Sequence, residues 1–316
     1  ALSSAASDVY KRQIECSNVW RKENREVHKF LRAIGFSDIT KKDLEMILDE
    51  VITRPEIMKI TKDSEGNEFA ELSGSFAANA GITVRGTYQE DDSFHMDYYY
   101  PYVFGTSITT NEQIDVEKHA EKESYAGVCD EVNLGVTLIF YIQNVADYLA
   151  ETNRHLSKIH YGAMLAGLST EGKILCPVVE RKKNDVPAIQ KNDRHNQLIA
   201  QAREGDEDAI ESLTLEDMDT YALLSQRVMK EDIFSIVKST FMPFGIESDQ
   251  YTVLGEIIDC VTMENKLTHE KLYGMKLLCN NIQFDVCINE KDLLGEPAIG
   301  RRFRGNVWMQ GNLCLE

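Results

Sequence analysis

The sequence predicts an α+β fold: an antiparallel sheet with helices, then a short helical segment, then a small C-terminal β domain. Three observations support this prediction. Residues 40–52 have helical apolar spacing, residues 57–102 contain short extended segments separated by turn residues, and residues after 251 become β-like again. The chain has 316 residues, 43% hydrophobic and 27% charged, which suffices for one large domain or two smaller ones with buried cores.

The first predicted element is an amphipathic helix that begins after Thr40. Asp43 follows three residues later, which is typical of a capped helix N-terminus. The helix should end at Arg54, because Pro55 disfavours helical backbone in the residue before it. Positions i, i+3, i+4, i+7 and i+8 form its apolar face, namely Leu44, Ile47, Leu48, Val51 and Ile52.

An antiparallel meander is predicted next. Its four strands lie near residues 57–61, 68–76, 82–89 and 94–102, with Gly-, Asn-, Asp- and Ser-rich turns between them.

Residues 132–143 are interpreted as a central strand and 144–151 as a helix. The spacing of Leu134, Leu138, Tyr141 and Val145 also fits one long helix, so both alternatives stay open here. Residues 159–168 and 173–179 are predicted to form a further hairpin around a turn at 169–172.

The composition changes after Val179. Residues 180–187 are polar and contain a proline, which is typical of a linker, and the acidic stretch that follows has the pattern of short helices. Strands are predicted again at 252–258, 272–278, 283–288 and 303–315. The expected organisation is a non-native extension at 1–26, an α+β domain at 27–185, an acidic helical segment at 186–240 and a C-terminal β domain at 241–316.

The N-terminal extension has its own argument. Residues 1–13 resemble translated sequencing-adaptor sequence, and residues up to 26 are polar and aperiodic. Val27 can be encoded by GTG, a bacterial start codon, so we expect translation to begin there. An ordinary disordered tail is the alternative.

Net charge and hydropathy exclude several classes of protein. The formal charge of -18 disfavours nucleic-acid binding, which requires concentrated Lys and Arg. The longest apolar run, 136–142, is far shorter than the roughly 20 residues of a membrane span, so no membrane association is predicted. No secretory signal is recognisable, and the seven cysteines form no CxxC pair. These features predict a cytoplasmic protein with reduced thiols.

Common catalytic and cofactor motifs are absent from the sequence, which does not exclude an enzyme and leaves the cofactor unknown. His95 and Asp97 alternate along a predicted strand, where an imidazole and a carboxylate could hold a divalent cation. A solvated strand face explains the same pattern, and we favour that interpretation. The aromatic run at 98–104 is likewise interpreted as core and sheet edge in preference to a stacking platform.

The candidate binding site is the arginine cluster of Arg301, Arg302 and Arg304, which lies between Gly300 and Gly305. Guanidinium groups present planar donor forks that suit phosphate or carboxylate, and flanking glycines allow close approach of backbone to an anion. The alternative is that these arginines pair with acidic residues of the same chain. We favour that alternative.

Several long strings occur in an order that resembles one family: HKFLRAIGF at 28–36, HAEKESYAGVC at 119–129, FMPFG at 241–245, FDVCIN at 284–289 and GEPAIGRRF at 295–303. With these strings, residues 27–316 resemble a clostridial (Firmicutes) family catalogued as a domain of unknown function. The resemblance implies a cytoplasmic bacterial protein. It implies no reaction and no catalytic residues.

Two functional hypotheses follow. The first is a non-catalytic cytoplasmic binding or interaction protein, because no nucleophile, base and orienting group converge and an acidic helical surface suits a protein partner. The alternative is an enzyme, or a sensor of a small anion or nucleotide, with its site between the domains. The sequence predicts neither a reaction nor an oligomeric state.

Overall fold

The computed structural model describes residues 27–118, 122–154, 160–177, 201, 206, 237–246 and 248–315. In these residues strands account for 56% and helices for 14%. The protein is therefore β-rich, and the predicted α+β class is wrong. The physical reason is that strands between residues 110 and 175 pair in one large sheet with strands after residue 240, so sheets and not helices cover most of the core.

The described helical elements are few and short. They are a 3₁₀ helix (Lys29–Ile34), α1 (Lys41–Thr53), α2 (Val145–Asn153) and a 3₁₀ turn (Glu290–Asp292). Helix α1 confirms the prediction for this segment: the Thr40 hydroxyl accepts a hydrogen bond from the Asp43 amide at 3.2 Å. Its apolar face is buried at Leu44, Leu48, Val51 and Ile52.

A four-stranded antiparallel sheet follows α1, and it confirms the predicted meander. Leu72 and Val84 on one face pack in a cluster with Leu48 of α1. Because side chains alternate across a strand, Glu71 and Arg85 lie on the opposite face, toward the rest of the protein. The strands are β1 (Ile57–Lys62), β2 (Glu68–Ala77), β3 (Ala80–Tyr88) and β4 (Phe94–Val103).

The second sheet has ten strands and contains all the described strands that follow β4. Its first strands are β5 (Thr110–Lys118), β6 (Tyr125–Glu131), β7 (Val136–Ile142) and β8 (His160–Leu175). Its later strands are β9 (Thr240–Pro243), β10 (Gln250–Glu264), β11 (Lys271–Cys279), β12 (Ile282–Asn289), β13 (Leu293–Leu294) and β14 (Arg302–Leu313).

Strand pairing closes this sheet into two five-stranded barrels that share β8 and β14. In the first barrel, β8 pairs with β5, β5 with β6, β6 with β7, β7 with β14, and β14 with β8. In the second, β8 pairs with β12, β12 with β11, β11 with β10, β10 with β14, and β14 again with β8. The two long strands therefore hold both barrels in one hydrogen-bonded unit.

One phenylalanine fills space in each barrel by lying over two glycines. A Cβ atom added at Gly127 would lie 2.3 Å from the Phe140 ring, and one at Gly311 would lie 2.9 Å from it. In the second barrel, Gly172 and Gly305 stand in the same relation to Phe303, at 2.4 and 2.5 Å. Only glycine leaves room for these rings, which is how small barrels accommodate a large interior side chain.

The predicted hairpin at 159–179 is wrong, because β8 is one continuous strand. The turn-like residues 169–172 form a β-bulge: Ser169 pairs with Val307 and Glu171 with Asn306, which leaves Thr170 as the extra residue. The buried Ser169 hydroxyl is hydrogen-bonded to the carbonyls of Glu171 and Asn306. Because β14 pairs with β8 on both sides of these residues, they form a bulge within the strand and not a turn.

The strands of the segment expected to form a C-terminal β domain at 241–316 do not make a separate sheet, since β12 and β14 pair with β8. The predicted strand and helix at 132–151 are confirmed as β7 and α2, and the long-helix alternative is excluded. The predicted acidic helical segment lies almost entirely outside the described residues, as do the extension at 1–26 and the linker at 180–187. The domain boundaries themselves stay predictions.

Candidate functional site

The small sheet and the first barrel meet around a buried arginine. Arg85 of β3 has no exposed surface, and Glu71 on the neighbouring strand β2 is 5% exposed. The guanidinium Nη2 lies 2.6 Å from Glu71 Oε1. These two residues are cross-strand partners, so the register of the meander places the opposite charges together.

Phenol and carbonyl oxygens complete the surroundings of Arg85. Nη1 donates to the hydroxyls of Tyr98 at 2.9 Å and Tyr141 at 2.7 Å. Nη2 donates to the carbonyls of Ile142 at 3.0 Å and Gln143 at 2.8 Å. Burial opposes the charge of Arg85, but the surrounding phenols and the carboxylate raise its pKa well above the ordinary value. Arg85 therefore connects the small sheet to β7 as a permanent, fully hydrogen-bonded cation.

A cavity of about 330 Å³ lies beside this ion pair, between the small sheet and the first barrel. Glu71, Ser73, Thr83 and Tyr100 contribute its polar wall from the small sheet. The opposite wall comes from the β7–α2 junction and from β8 and β14, and it includes Gln143, Asn144, Met164, Asn312 and Leu313. We refer to this space as the interlayer cavity.

Gln143 carries an unsatisfied acceptor in this cavity wall. The residue is 4% exposed, and its Nε2 donates to the Val103 carbonyl at 2.9 Å and to Gln310 Oε1 at 2.8 Å. Its Oε1 is buried and has no hydrogen-bond partner within the described residues. A buried acceptor without a donor costs about 1–3 kcal/mol, so such groups are rare in folded proteins.

A second ion pair lines the interlayer cavity on its solvent side. Lys59 Nζ of β1 lies 2.6 Å from Asp147 Oδ2 of α2, and each side chain is 42% exposed. Ile57 and Phe104 line the same cavity with apolar surface. The cavity thus combines two internally neutral ion pairs, hydroxyl and amide groups, and apolar patches.

Sequence reasoning missed this site. Arg85 and Glu71 are charges within otherwise apolar strands, where an exposed edge position explains a charge equally well. One pattern could have identified them: two adjacent strands of the meander each carry a charged residue at a position that faces the protein interior. Buried charges are tolerated when they are paired with an opposite charge. No comparable local signal identifies Gln143, whose partner Gln310 lies 167 residues away.

The predicted metal candidates lie on β4, away from the interlayer cavity. His95 is exposed and Asp97 is half-buried. Lys122 Nζ donates to the Asp97 carbonyl at 2.9 Å. No group of three or more metal-ligating side chains occurs in the part of the chain that the structure describes.

The three predicted anion-binding arginines do not share one environment. Arg301 is exposed and donates to the Glu296 carbonyl at 2.6 Å. Arg302 is 5% exposed and donates to the carbonyls of Cys176 and Val237 at 3.0 and 2.6 Å. Arg304 is half-buried and faces Lys173 across the β8–β14 ladder. Together with Lys173 it lines a separate cavity of about 360 Å³.

The aromatic run is largely core, as the favoured interpretation predicted. Tyr99, Tyr100 and Tyr102 are buried, and Tyr98 and Tyr100 contact Arg85 through their hydroxyls. Burial also raises the pKa of the Cys129, Cys279 and Cys287 thiols to about 12. These three cysteines are therefore protonated and poor nucleophiles at neutral pH.

No helix among the described residues combines the length and the apolar character needed to cross a membrane.

The fold and the interlayer cavity define a β-rich protein in which a small meander covers a pair of fused barrels. Residues 31–311 match a domain of unknown function described from an E. rectale gene, DUF3881. The chain belongs to this family, which confirms the resemblance to a Firmicutes domain of unknown function. No curated protein and no solved structure matches the chain.

Proposed function

We propose that this protein binds a small polar molecule in the interlayer cavity. The observation that carries the proposal is that Gln143, one of the residues lining a cavity of about 330 Å³, has a buried Oε1 without a hydrogen-bond donor within the described residues. A bound donor would remove the cost of this unsatisfied group. The volume lies in the range of about 300–1,000 Å³ that is typical of small-molecule sites.

Preorganisation of the cavity supports the same proposal. The Glu71 carboxylate accepts from Arg85 and from the Ala146 amide at 3.1 Å, so both walls are held in place before any ligand arrives. A rigid site loses less conformational entropy on binding than a flexible one. The proposal applies equally to a non-catalytic binding protein and to a sensor of a small molecule. Binding of a protein partner is a separate prediction.

The test is a thermal-shift screen of the full chain with monosaccharides, amino acids, nucleosides and short carboxylic acids. At about a hundredfold excess over Kd, a ligand should stabilise the folded state by ~2.7 kcal/mol and raise Tm measurably. Met164→Trp, which fills the cavity from β8, should abolish that shift. Met46→Trp makes the same change on the exposed face of α1 and should preserve it. A shift that survives Met164→Trp, or no shift with any compound, would overturn the proposal.

A second candidate function is anion binding at the cavity beside Arg304. Arg304 and Lys173 are direct cross-strand partners, so two positively charged side chains lie side by side at the cavity that both of them line. Glu171 and Asn306 line the same cavity and are hydrogen-bonded to each other, so one carboxylate also faces this space. Of the three predicted arginines, only Arg304 lines this cavity.

Inorganic phosphate is the probe for this candidate. Phosphate should raise Tm of the unchanged protein, and Arg304→Gln with Lys173→Gln should abolish the rise. Arg301→Gln is the matched control, because its guanidinium is exposed and bonded to a different loop. An equal response of all three proteins to phosphate would exclude a specific anion site here.

A further inference from the structure

We infer that the interlayer cavity takes a neutral, hydroxyl-bearing molecule of roughly monosaccharide size. This inference rests on the proposed function and adds the chemical class of the ligand. Three features of the cavity carry it: its charge balance, the hydrogen-bonding capacity of its walls, and its apolar surface.

Charge balance disfavours a charged ligand. Each charged side chain that lines the cavity already has an opposite partner in contact: Glu71 has Arg85 at 2.6 Å, and Lys59 has Asp147 at 2.6 Å. An additional phosphate, carboxylate or ammonium group would lose its hydration without gaining a free counter-charge. A neutral molecule loses much less on entering the cavity.

Hydrogen-bonding capacity selects the polar group of the ligand. Gln143 Oε1 requires a donor. On the facing wall, the hydroxyls of Ser73 and Thr83 lie 2.8 Å apart and form a pair in which either oxygen can donate. A ligand hydroxyl can donate to Gln143 and can also accept from such a pair, whereas an ammonium group only donates and a carboxylate only accepts.

Apolar surface suits the C–H groups of a polyol. Phe104 and Leu313 line the cavity alongside the polar groups. Neutral sugars present hydroxyls at their edges and C–H groups on their ring faces, so they can contact both kinds of wall at once. Purely apolar ligands would leave Gln143 Oε1 without a donor.

Isothermal titration calorimetry on the full chain tests this class directly. The neutral probes are D-glucose, D-galactose, D-mannose and myo-inositol; the charged probes are glucose 6-phosphate, glucuronate and glucosamine. We expect at least one neutral probe to bind, and the charged derivatives of the same sugar to bind at least tenfold more weakly.

Variants assign the binding to the cavity. Gln143→Leu should abolish the measured binding, but it also removes two buried hydrogen bonds and can impair folding. Thr83→Val is therefore the second variant, because it keeps the side-chain shape and removes one hydroxyl; it should weaken binding by about tenfold. Thr87→Val is the control on the same strand, since its hydroxyl is bonded to Gln89 and does not line the cavity.

The outcomes separate the inference from the function on which it rests. Binding of a neutral probe that falls in Thr83→Val and not in Thr87→Val supports the inference. Binding of charged probes alone, lost in Met164→Trp, overturns the ligand class and leaves the proposed function in place. Failure of every neutral probe overturns the inference, while the wider thermal-shift screen decides the function separately.

Discussion

Arg85 shows how one residue can hold two layers of this protein together. It comes from the small sheet, yet its guanidinium donates to carbonyls at the end of β7. Its charge is balanced by Glu71 from its own sheet. A buried cation in such a position is costly to form and still more costly to disrupt on one side, because the partner groups stay buried.

Arg85→Met should therefore lower the free energy of unfolding by about 3–5 kcal/mol, since it leaves the buried Glu71 carboxylate without its counter-charge and several buried oxygens without donors. Denaturant unfolding of the two proteins measures the difference. Arg54→Met is the control, because Arg54 is exposed beyond the end of α1. Similar losses from both substitutions would contradict a structural role for the buried ion pair.

The lowered pKa of His28 should make the stability of the protein depend on pH. Its Nδ1 accepts from the Phe30 amide, and its ring lies 5.1 Å from that of Trp308. Burial, with a smaller effect of Lys29, lowers its pKa from 6.5 to about 4. Between these values the unfolded chain binds the proton and the folded protein does not, so stability falls as the pH decreases from 6.5 to about 4.

The contribution of His28 to this loss should be about 2–3 kcal/mol over the interval. His28→Asn keeps a residue that can cap the following 3₁₀ helix but removes the titrating imidazole. Unfolding free energies measured from pH 7 to pH 4 should therefore decrease more steeply for the unchanged protein than for His28→Asn. Parallel curves would mean that His28 titrates alike in the folded and unfolded states.

At the scale of single elements, α1 is the clearest case in which local pattern and packing agree. Leu48 is 2% exposed and belongs to the cluster that covers the small sheet, whereas Glu45 on the same helix is exposed. The helix therefore depends on its apolar face for stability and much less on its outer surface.

Leu48→Ala should cost about 2–5 kcal/mol of unfolding free energy, because it removes buried methyl groups and leaves a cavity. Glu45→Ala should change stability by no more than about 0.5 kcal/mol. Chemical denaturation of both variants checks the pair. Small effects from both would show that α1 does not pack on the sheet.

Strand β8 shows the opposite relation between local pattern and structure. Residues 169–172 carry the composition of a turn, but β14 pairs along β8 on both sides of Thr170. A β-bulge accommodates Thr170 as an extra residue, and the strand continues into the second barrel.

The whole molecule is organised by the shared strands β8 and β14. A single hydrophobic cluster includes residues of both barrels, among them Phe140 and Phe303. Because two strands belong to both barrels, unfolding one barrel removes pairing partners from the other. The barrels should therefore unfold together.

Phe140→Ala in the first barrel and Phe303→Ala in the second test this cooperativity. Each should cost about 3–5 kcal/mol, since each phenylalanine is fully buried. Thermal unfolding followed by circular dichroism and by tryptophan fluorescence should show one coincident transition, shifted by either substitution. Two transitions, each shifted by only one of the variants, would show that the barrels are independent domains.

Local pattern was enough to predict α1 and the four-strand meander, and runs of matching residues indicated the family. Helix α1 and the meander depend on neighbours within a few residues, where apolar spacing, caps and turn residues report directly on burial. The strands after residue 251 were also predictable for the same reason, although their partners were not.

Only the folded protein shows the β-rich class, the continuity of β8 and the interlayer cavity. These features depend on pairing between distant segments, such as β14 with β7 and β8, and on which charges meet once the layers pack. Gln143 and Arg85 acquire their roles only when the small sheet covers the first barrel. Long-range pairing leaves little trace in local composition, because an apolar strand has the same alternation whichever partner completes its hydrogen bonds.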